Sequence, residues 1–290
     1  LESTGLDLLA CARKVPFTGT DSRNVRWLKC DLSASRDPLE DVGGLDAVVH
    51  LAARAHVLDE KELDPLDEYR RVNVQGSLRV AGSAARHGAE RFVFISSIGV
   101  NGNRSFRPFK ASDPPAPVGP YAVSKHEAET GLNRLCADLG MELVIIRPPL
   151  VYGPSAPGNF GRLVKVVRSG LPLPFAAVRN KRSLVALVNL VDLITVCIDH
   201  PAAAGRIFPA ADGEDISTPS LIRKLARAAG RPARLFPVPP ALLTLLGRLT
   251  GRGADMEKLT GSLEVDISDT CETLGWRPPV SMDRALSNSV

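Results

Sequence analysis

Phe92-Val-Phe-Ile95 is a short apolar run that ends at two serines, Ser96 and Ser97. Similar runs, Ala47-Val-Val-His-Leu51 and Leu143-Val-Ile-Ile146, lie before and after it in the chain. Short, nearly continuous apolar runs rich in β-branched residues are typical of strands that are buried on both faces of a sheet. We therefore expect these three segments to form the centre of a sheet.

Helical patterns separate these strands, over residues 69–86 and residues 122–139. Their apolar side chains recur at helical spacings: Val72, Leu78, Val80 and Ala84 in the first, and Ala128, Leu132, Leu135 and Leu139 in the second. Alternating strands and helices predict parallel crossovers. With earlier strands expected over residues 6–11 and 27–30, residues 1–153 are predicted to form an α/β, Rossmann-like, doubly wound parallel sheet.

Residues 154–290 are predicted to form a smaller substrate-binding lobe, with some segments returning to the first domain. Its first part is rich in helix-breaking residues: Pro154, Pro157, Gly158, Gly161, Gly170, Pro172 and Pro174. We therefore expect mainly loops and short elements there. Two helices are expected, one from Thr218-Pro219 to Gly230 and one over residues 241–249, the latter packed in a core or interface rather than on a membrane surface.

The composition of the 290 residues, 44% hydrophobic and 23% charged, is that of a globular protein. Because 36 basic and 32 acidic residues give a net charge of only +4, and no basic stripe is present, nucleic-acid binding is not expected. The longest apolar run, residues 241–246, predicts no membrane insertion. Dispersed cysteines predict reduced core thiols, no metal site and a cytoplasmic location: Cys11, Cys30, Cys136, Cys197 and Cys271.

Tyr121-Ala-Val-Ser-Lys125 follows Pro120 at the start of the second predicted helix. Residues four apart share a helix face, so the Lys125 ammonium would lie near the Tyr121 phenol and favour its ionised form. This pair is a candidate for proton transfer, although an exposed helix turn would have the same spacing.

Further candidates lie near the predicted strand ends, where open parallel sheets bind ligands. The Ser97 hydroxyl could orient a substrate oxygen, or it could only satisfy local backbone groups. Ala52 and Ala53 are small enough for a flat ring or a phosphate to approach the backbone. Asn73 is an isolated polar residue that could support the site or face solvent.

Together these motifs resemble the extended short-chain dehydrogenase/reductase superfamily, in the nucleotide-sugar branch of its NAD-dependent epimerase/dehydratase family. The resemblance covers nearly the entire chain. It rests on these segments: Cys30-Asp-Leu32, His50-Leu-Ala-Ala53, Asn73-Val-Gln-Gly76, residues 92–102, Pro120-Tyr-Ala-Val-Ser-Lys125, Arg147-Pro-Pro-Leu-Val-Tyr-Gly-Pro154 and Leu274-Gly-Trp276.

The resemblance implies that Ser97, Tyr121 and Lys125 are catalytic, with Tyr121 as acid/base and Lys125 also holding the nicotinamide ribose. It implies a dinucleotide site formed by Arg13, Asp31, Leu32, Leu51, Ala52, Ala53, Asn73, Tyr121, Lys125 and Pro148. The UDP-sugar substrate would contact Ser97, Tyr121, Asn159, Phe160, Arg182 and Lys258. A guanidinium suits a diphosphate because its planar fork donates to two oxygens at once.

The sequence departs from the family pattern in three places. The first strand and glycine-rich phosphate turn are expected to be missing, a difference of roughly 20 residues that predicts weak cofactor binding. Arg13-Lys14 takes the place of an acidic residue, which slightly favours NADP(H) over NAD. Ile98-Gly99 takes the place of an acidic pair after Ser97, which argues against 4,6-dehydration.

The predicted activity is hydride and proton transfer at carbon 4 of a UDP-sugar, as in bacterial surface-polysaccharide synthesis. A 4-ketoreductase is slightly favoured over a UDP-glucose or UDP-N-acetylglucosamine type of 4-epimerase. The alternative is a non-catalytic dinucleotide-binding sensor or regulatory protein. A homodimer through the helices over residues 69–86 and 122–139 is also expected from the resemblance.

Overall fold

The computed structural model describes residues 6–15, 25–32, 37, 39–40, 42–55, 65–156 and 158–290. The chain forms two compact units. Unit 1 contains residues 1–95, 119–145 and 194–206, and unit 2 contains residues 96–118, 146–193 and 207–290. Both units take segments from either side of residue 153, and the predicted domain boundary there stays a prediction.

Unit 1 contains the predicted parallel strands. Strand β1 (Leu8–Ala12) pairs in parallel with β2 (Val25–Lys29), and β3 (Ala47–His50) pairs in parallel with β4 (Arg91–Ile95). Strand β5 (Glu142–Arg147) lies next to β4. The strand predictions are confirmed to within two residues, and the α/β fold with parallel sheets is confirmed. Among the described residues, β1 pairs only with β2, and β3 pairs only with β4. This pairing does not test whether the family's first strand is missing, so that absence stays a prediction.

The first long helical region of unit 1 starts earlier than residue 69. It consists of α1 (Pro65–Tyr69), a wide π-helical turn (Arg70–Gln75) and α2 (Gly76–Arg86). At the end of the wide turn the Gly76 N–H donates to the Arg71 carbonyl, five residues back. Such turns insert an extra residue into a helix and are frequent at functional sites.

Helix α3 (Pro120–Leu139) carries the Tyr121 and Lys125 side chains. The residue before it, Gly119, has φ +84°, a conformation that favours glycine. The next residue, Pro120, occupies the first helical position, where its missing N–H leaves no intrahelical bond unmade. These two residues therefore set the point at which α3 begins, and with it the position of Tyr121 in the first turn.

Unit 2 contains most of the remaining elements. They are a 3₁₀ turn (Ile98–Val100), β6 (Leu150–Tyr152), α4 (Gly158–Arg168), β7 (Arg182–Ala186), the first part of α5 (Leu187–Asp199), β8 (Ile207–Pro209), β9 (Asp215–Ile216), α6 (Thr218–Ala228), α7 (Pro240–Leu249), α8 (Gly253–Thr260), α9 (Ser268–Leu274) and α10 (Met282–Ser287). Strand β7 pairs in parallel with β6 and antiparallel with β9. The expected short elements are present, but α4 forms where loops were expected: Gly158 starts this helix, Gly161 lies inside it and Gly170 follows it.

A buried polar cluster fixes the sheet of unit 2. The Asp212 carboxylate accepts hydrogen bonds from the Tyr152 hydroxyl (2.7 Å), the Asn189 amide (2.7 Å) and the Ala186 N–H (2.9 Å). These donors satisfy a carboxylate that is only 8% exposed. The cluster thereby ties the end of β7 to the start of α5.

Burial differs from expectation in two places. Only Leu243 and Gly247 of α7 are buried, so core packing accounts for a small part of this helix, and packing in an interface stays a prediction. Of the predicted core thiols only Cys136 and Cys197 are buried, whereas Cys11 is exposed; all five cysteines are free. Among the described residues, no helix is both long and apolar enough to cross a membrane.

Candidate active site

Lys125 is buried in unit 1, with its side chain directed at an aromatic ring. The residue is 1% exposed, and its Nζ lies 3.9 Å from the centre of the Phe94 ring at the end of β4. Burial lowers the pKa of Lys125 to about 7, although the nearby Glu129 carboxylate favours the charged form. This lysine therefore changes its charge near neutral pH.

Tyr121 lies one helical turn before Lys125 and is half-buried. Its ring meets the buried Tyr69 ring edge-on, with 6.3 Å between the ring centres. The Arg54 guanidinium lies over the other aromatic ring, 5.4 Å from the centre of Tyr69. The candidate acid/base is thus held by an aromatic contact from α1.

Asn73 lies in the wide π-helical turn and is fully buried, so the solvent-facing alternative is wrong. Its side-chain oxygen accepts from the Arg54 N–H (2.7 Å), and its amide donates to the Arg54 carbonyl (3.2 Å) and to Ser124 Oγ (3.0 Å). Ser124 Oγ donates to the Tyr121 carbonyl (2.8 Å). Asn73 thereby joins the segment that follows β3 to the start of α3.

His50, at the end of β3, is a buried residue that the sequence analysis did not single out. Its Nε2 lies 3.0 Å from Ser77 Oγ, and its ring stacks on Phe92 and Phe94 at centre distances of 5.8 and 5.9 Å. Burial, together with the nearby charge of Lys125, lowers the pKa of His50 to about 3. The imidazole is therefore neutral beside Lys125. An isolated polar residue inside an apolar strand was the available signal.

Six of the residues predicted to bind the dinucleotide lie directly after strands of unit 1, and a seventh, Pro148, follows β5 in unit 2. Leu51, Ala52 and Ala53 are exposed directly after β3, and Arg13 is exposed directly after β1. After β2, Asp31 is exposed, and the Leu32 carbonyl accepts from the Arg79 guanidinium. An accessible backbone turn and a poorly solvated lysine fit a dinucleotide, whose ribose hydroxyls and phosphates offer hydrogen-bond acceptors.

Ser97 lies in unit 2, at the start of the 3₁₀ turn. It is half-buried, and its Oγ accepts from the Gly99 N–H (3.1 Å). Ser97 therefore satisfies a local backbone N–H, as one of the two alternatives expected, but its hydroxyl can still donate its own proton to another group. The next N–H, from Ile98, donates to the buried Pro148 carbonyl (2.9 Å). Ser96 Oγ is buried and has no hydrogen-bond partner among the described residues.

The predicted substrate residues differ in exposure within unit 2. Asn159 is half-buried in the first turn of α4, and Lys258 is exposed on α8. Phe160 is 2% exposed and packs on Tyr152, with ring centres 5.5 Å apart. Arg182, at the start of β7, donates to the Gly261 carbonyl (3.2 Å), and burial lowers its pKa. Of these four residues, Arg182 combines a charge with a partly apolar environment. The role of all four in substrate binding stays a prediction.

Comparisons with known proteins agree with this geometry. The chain is 47% identical, over 262 residues, to a UDP-glucose 4-epimerase from Vibrio cholerae; the match covers 89% of this chain and 80% of the relative. It is 27% identical, over 263 residues, to an N-acetyl-alpha-D-glucosaminyl-diphospho-ditrans,octacis-undecaprenol 4-epimerase from Escherichia coli O157:H7, with 86% of this chain and 78% of the relative covered.

A solved structure shows the same fold. It is the UDP-glucuronic acid 4-epimerase from Bacillus cereus in complex with NAD, with a TM-score of 0.76, 18% identity, and coverage of 97% of this chain and 88% of that chain. The sequence profile of the NAD dependent epimerase/dehydratase family matches residues 1–211. The chain therefore belongs to the NAD dependent epimerase/dehydratase family.

Proposed function

We propose that this protein is a UDP-sugar 4-epimerase that uses a nicotinamide dinucleotide, with Tyr121, Lys125 and Ser97 as its catalytic residues. The observation that carries the proposal is the poorly solvated Lys125 one turn from Tyr121. It occurs in a chain 47% identical to a UDP-glucose 4-epimerase. That identity favours an epimerase over the ketoreductase that the sequence analysis slightly preferred.

Tyr121 is the proposed acid/base. Its phenolate takes the proton of the carbon-4 hydroxyl as that carbon is oxidised, and returns the proton when the carbon is reduced on its other face. An unperturbed phenol has a pKa of about 10, so a neighbouring cation is needed for it to accept a proton as a phenolate at neutral pH. Lys125, four residues later on the same helix, supplies that cation.

Lys125 has a second proposed role in cofactor binding. When bound, the dinucleotide supplies hydride exchange with carbon 4 of the sugar. The Lys125 ammonium would donate hydrogen bonds to the ribose hydroxyls of the dinucleotide, which would favour the charged form of Lys125 and oppose the effect of burial. The proposed remaining contacts are the exposed turn after β3, with Asn73, Asp31, Leu32 and Pro148. NADP is the alternative to NAD, because the exposed side chains of Arg13 and Lys14 follow β1, where a basic residue can bind a 2′-phosphate.

Ser97 is proposed to donate its hydroxyl proton to the carbon-4 oxygen while its Oγ accepts from Gly99. In unit 2, Arg182 and Asn159 are proposed to bind the diphosphate of the nucleotide sugar, with Phe160 and Lys258 as further contacts. The named substrates of the two relatives both contain a sugar diphosphate. This supports a role in bacterial surface-polysaccharide synthesis.

Five free thiols support a cytoplasmic location, and a homodimer stays a prediction.

The test incubates the protein separately with UDP-glucose, UDP-N-acetylglucosamine and a UDP-4-keto sugar, each with NAD⁺, with NADPH, or with neither. Chromatography follows the 4-epimer, and absorbance follows reduced cofactor. We expect epimer to form without net consumption of reduced cofactor. Consumption of NADPH with a 4-keto sugar, without epimerisation, would establish the ketoreductase instead. Dinucleotide binding without turnover of any sugar would favour the sensor.

Single variants test the assigned roles. Tyr121→Phe should lower kcat by roughly 10²–10⁴-fold, the usual contribution of a positioned acid/base. Lys125→Met should lower kcat and weaken dinucleotide binding, whereas Lys165→Met, at an exposed lysine of α4, should change neither. Ser97→Ala should lower kcat more than it changes KM. Full activity of Tyr121→Phe would refute the assignment.

A further inference from the structure

Helix α7 exposes an apolar face. The exposed fractions of Leu242, Leu245, Leu246 and Leu249 are 45%, 53%, 49% and 76%. These positions follow the i, i+3, i+4, i+7 spacing that places side chains on one side of a helix. The opposite side holds the buried residues Leu243 and Gly247. We call the four exposed leucines the leucine face.

The leucine face is part of a wider concentration of exposed apolar side chains. Among the described residues, 15 large hydrophobic side chains are exposed, and five of them lie between residues 236 and 249: the leucine face and Phe236, which is 44% exposed. Single exposed leucines are ordinary, but a cluster of this kind marks an interaction surface. The cluster therefore predicts a partner that accepts apolar side chains.

The charge of the flanking sequence identifies that partner. Between Asp215 and Asp255 the chain has seven basic residues and no acidic residue, whereas the whole protein has 36 basic and 32 acidic residues. Four exposed arginines lie close to the leucine face in the sequence, one of them within α7: Arg231, Arg234, Arg248 and Arg252. Of these, Arg248 has an exposed acidic neighbour, Glu257, at 3.5 Å. The partner should therefore be anionic as well as apolar.

We propose that the leucine face and its four arginines bind an anionic lipid bilayer, with α7 lying in the plane of the membrane interface. Leucines would enter the boundary between head groups and acyl chains, while arginines contact anionic head groups. A second copy of this chain fits less well, because a two-fold interface would place the same arginines opposite one another. The proposal does not depend on the proposed reaction, since it uses no residue of the candidate active site.

The test is co-sedimentation of the protein with vesicles. One set contains phosphatidylglycerol and phosphatidylethanolamine, and the other contains only zwitterionic phosphatidylcholine. We expect binding to the anionic vesicles at least tenfold stronger than to the zwitterionic ones. Binding should weaken as the salt concentration rises, because ions screen exposed charges.

Variants separate the apolar and the charged contributions. Leu245→Asp with Leu249→Asp should weaken binding to anionic vesicles at least tenfold. The matched control is Phe106→Asp, at a hydrophobic residue outside the cluster that is 96% exposed; it should bind like the unchanged protein. Arg231→Gln with Arg252→Gln should remove most of the preference for anionic over zwitterionic vesicles. Thermal unfolding midpoints show that each variant is folded.

Three outcomes would overturn the proposal. The first is that the unchanged protein fails to sediment with either vesicle type. The second is that the leucine variant sediments as well as the unchanged protein. The third is that light scattering shows a dimer that Leu245→Asp with Leu249→Asp converts to a monomer, since the leucine face would then be an interface between copies.

Discussion

Asn73 and Ser124 are 51 residues apart in the chain, and their side chains are joined by a buried hydrogen bond of 3.0 Å. Asn73 lies in the wide π-helical turn, and Ser124 immediately precedes Lys125. Because Ser124 also donates to the Tyr121 carbonyl, one hydroxyl connects the wide π-helical turn to the helix turn that carries both proposed catalytic groups.

Ser124→Ala should destabilise the protein and slow the reaction. The substitution removes one of two acceptors of the buried Asn73 amide, which predicts a loss of about 1–3 kcal/mol in the free energy of unfolding. Urea unfolding measures this loss. We expect kcat to fall more than KM rises, because Tyr121 and Lys125 lose a fixed position. Thr130→Ala, at an exposed hydroxyl of the same helix that bonds to the His126 carbonyl, is the control and should leave kcat unchanged. Equal effects of the two substitutions would contradict a positioning role.

Lys125 should contribute a rise in the stability of the cofactor-free protein as the pH increases above neutrality, whereas the buried thiols of Cys136 and Cys197, whose pKa values are raised, act in the opposite direction. The pKa of Lys125 is about 7 in the folded protein against an ordinary value of 10.5, so the unfolded chain binds more protons between those pH values. The free energy of unfolding should then increase with a slope of at most about 1.4 kcal/mol per pH unit.

Lys125→Met should remove this rise, whereas Lys165→Met, at an exposed lysine, should retain it. Urea unfolding at several pH values between 7 and 10 provides the comparison. If the free energy of unfolding changed with pH in the same way for Lys125→Met and for the unchanged protein, Lys125 would be shown to be well solvated.

Arg182→Gln should raise the KM for a UDP-sugar. Hydrogen bonds to a charged group contribute about 1.5–3 kcal/mol, which corresponds to roughly a 10–150-fold increase. Steady-state kinetics with kcat and KM determined separately is the measurement. Lys181→Gln is the matched control, because this neighbouring lysine is 69% exposed and pairs with Glu264 at 3.5 Å. An unchanged KM in Arg182→Gln would remove this residue from the proposed diphosphate site.

Arg91→Met should unfold at a markedly lower denaturant concentration. The buried guanidinium donates to Glu142 and to three carbonyls at the end of α5, those of Cys197, Ile198 and His200. Glu142 is 47% exposed and can be solvated without its partner, but the carbonyls lose a buried donor, which predicts destabilisation of about 1–3 kcal/mol. The control, Arg86→Met, removes an arginine that is 63% exposed and pairs with Asp37; it should lose less than about 1 kcal/mol. A similar loss in both variants would contradict the prediction.

The sequence predicts the strands well because their signal is local. The β4 run places Phe92, Val93 and Phe94 at 0% exposure, and a run of this kind identifies a buried strand wherever it pairs. Tyr121 and Lys125 are likewise found from their spacing on one helix. These features depend on residues that are close together in the chain.

The remaining site features depend on contacts that have no local signal. His50 and Ser77 are 27 residues apart, and only folding shows that their side chains meet. The burial of Asn73 depends on the wide turn, which no residue type specifies. The apolar density of residues 241–249 predicts a leucine-rich helix, but it does not predict whether the leucines face the core or the surface.

The chain passes from one unit to the other five times, after residues 95, 118, 145, 193 and 206. Neither unit is therefore a contiguous stretch of gene. A recombination event that replaces one contiguous segment cannot exchange a whole unit without taking part of the other, so complete units are inherited together. The proposed proton-transfer residues of unit 1 and the proposed sugar-diphosphate residues of unit 2 are consequently expected to change together during evolution, rather than being exchanged as separate modules.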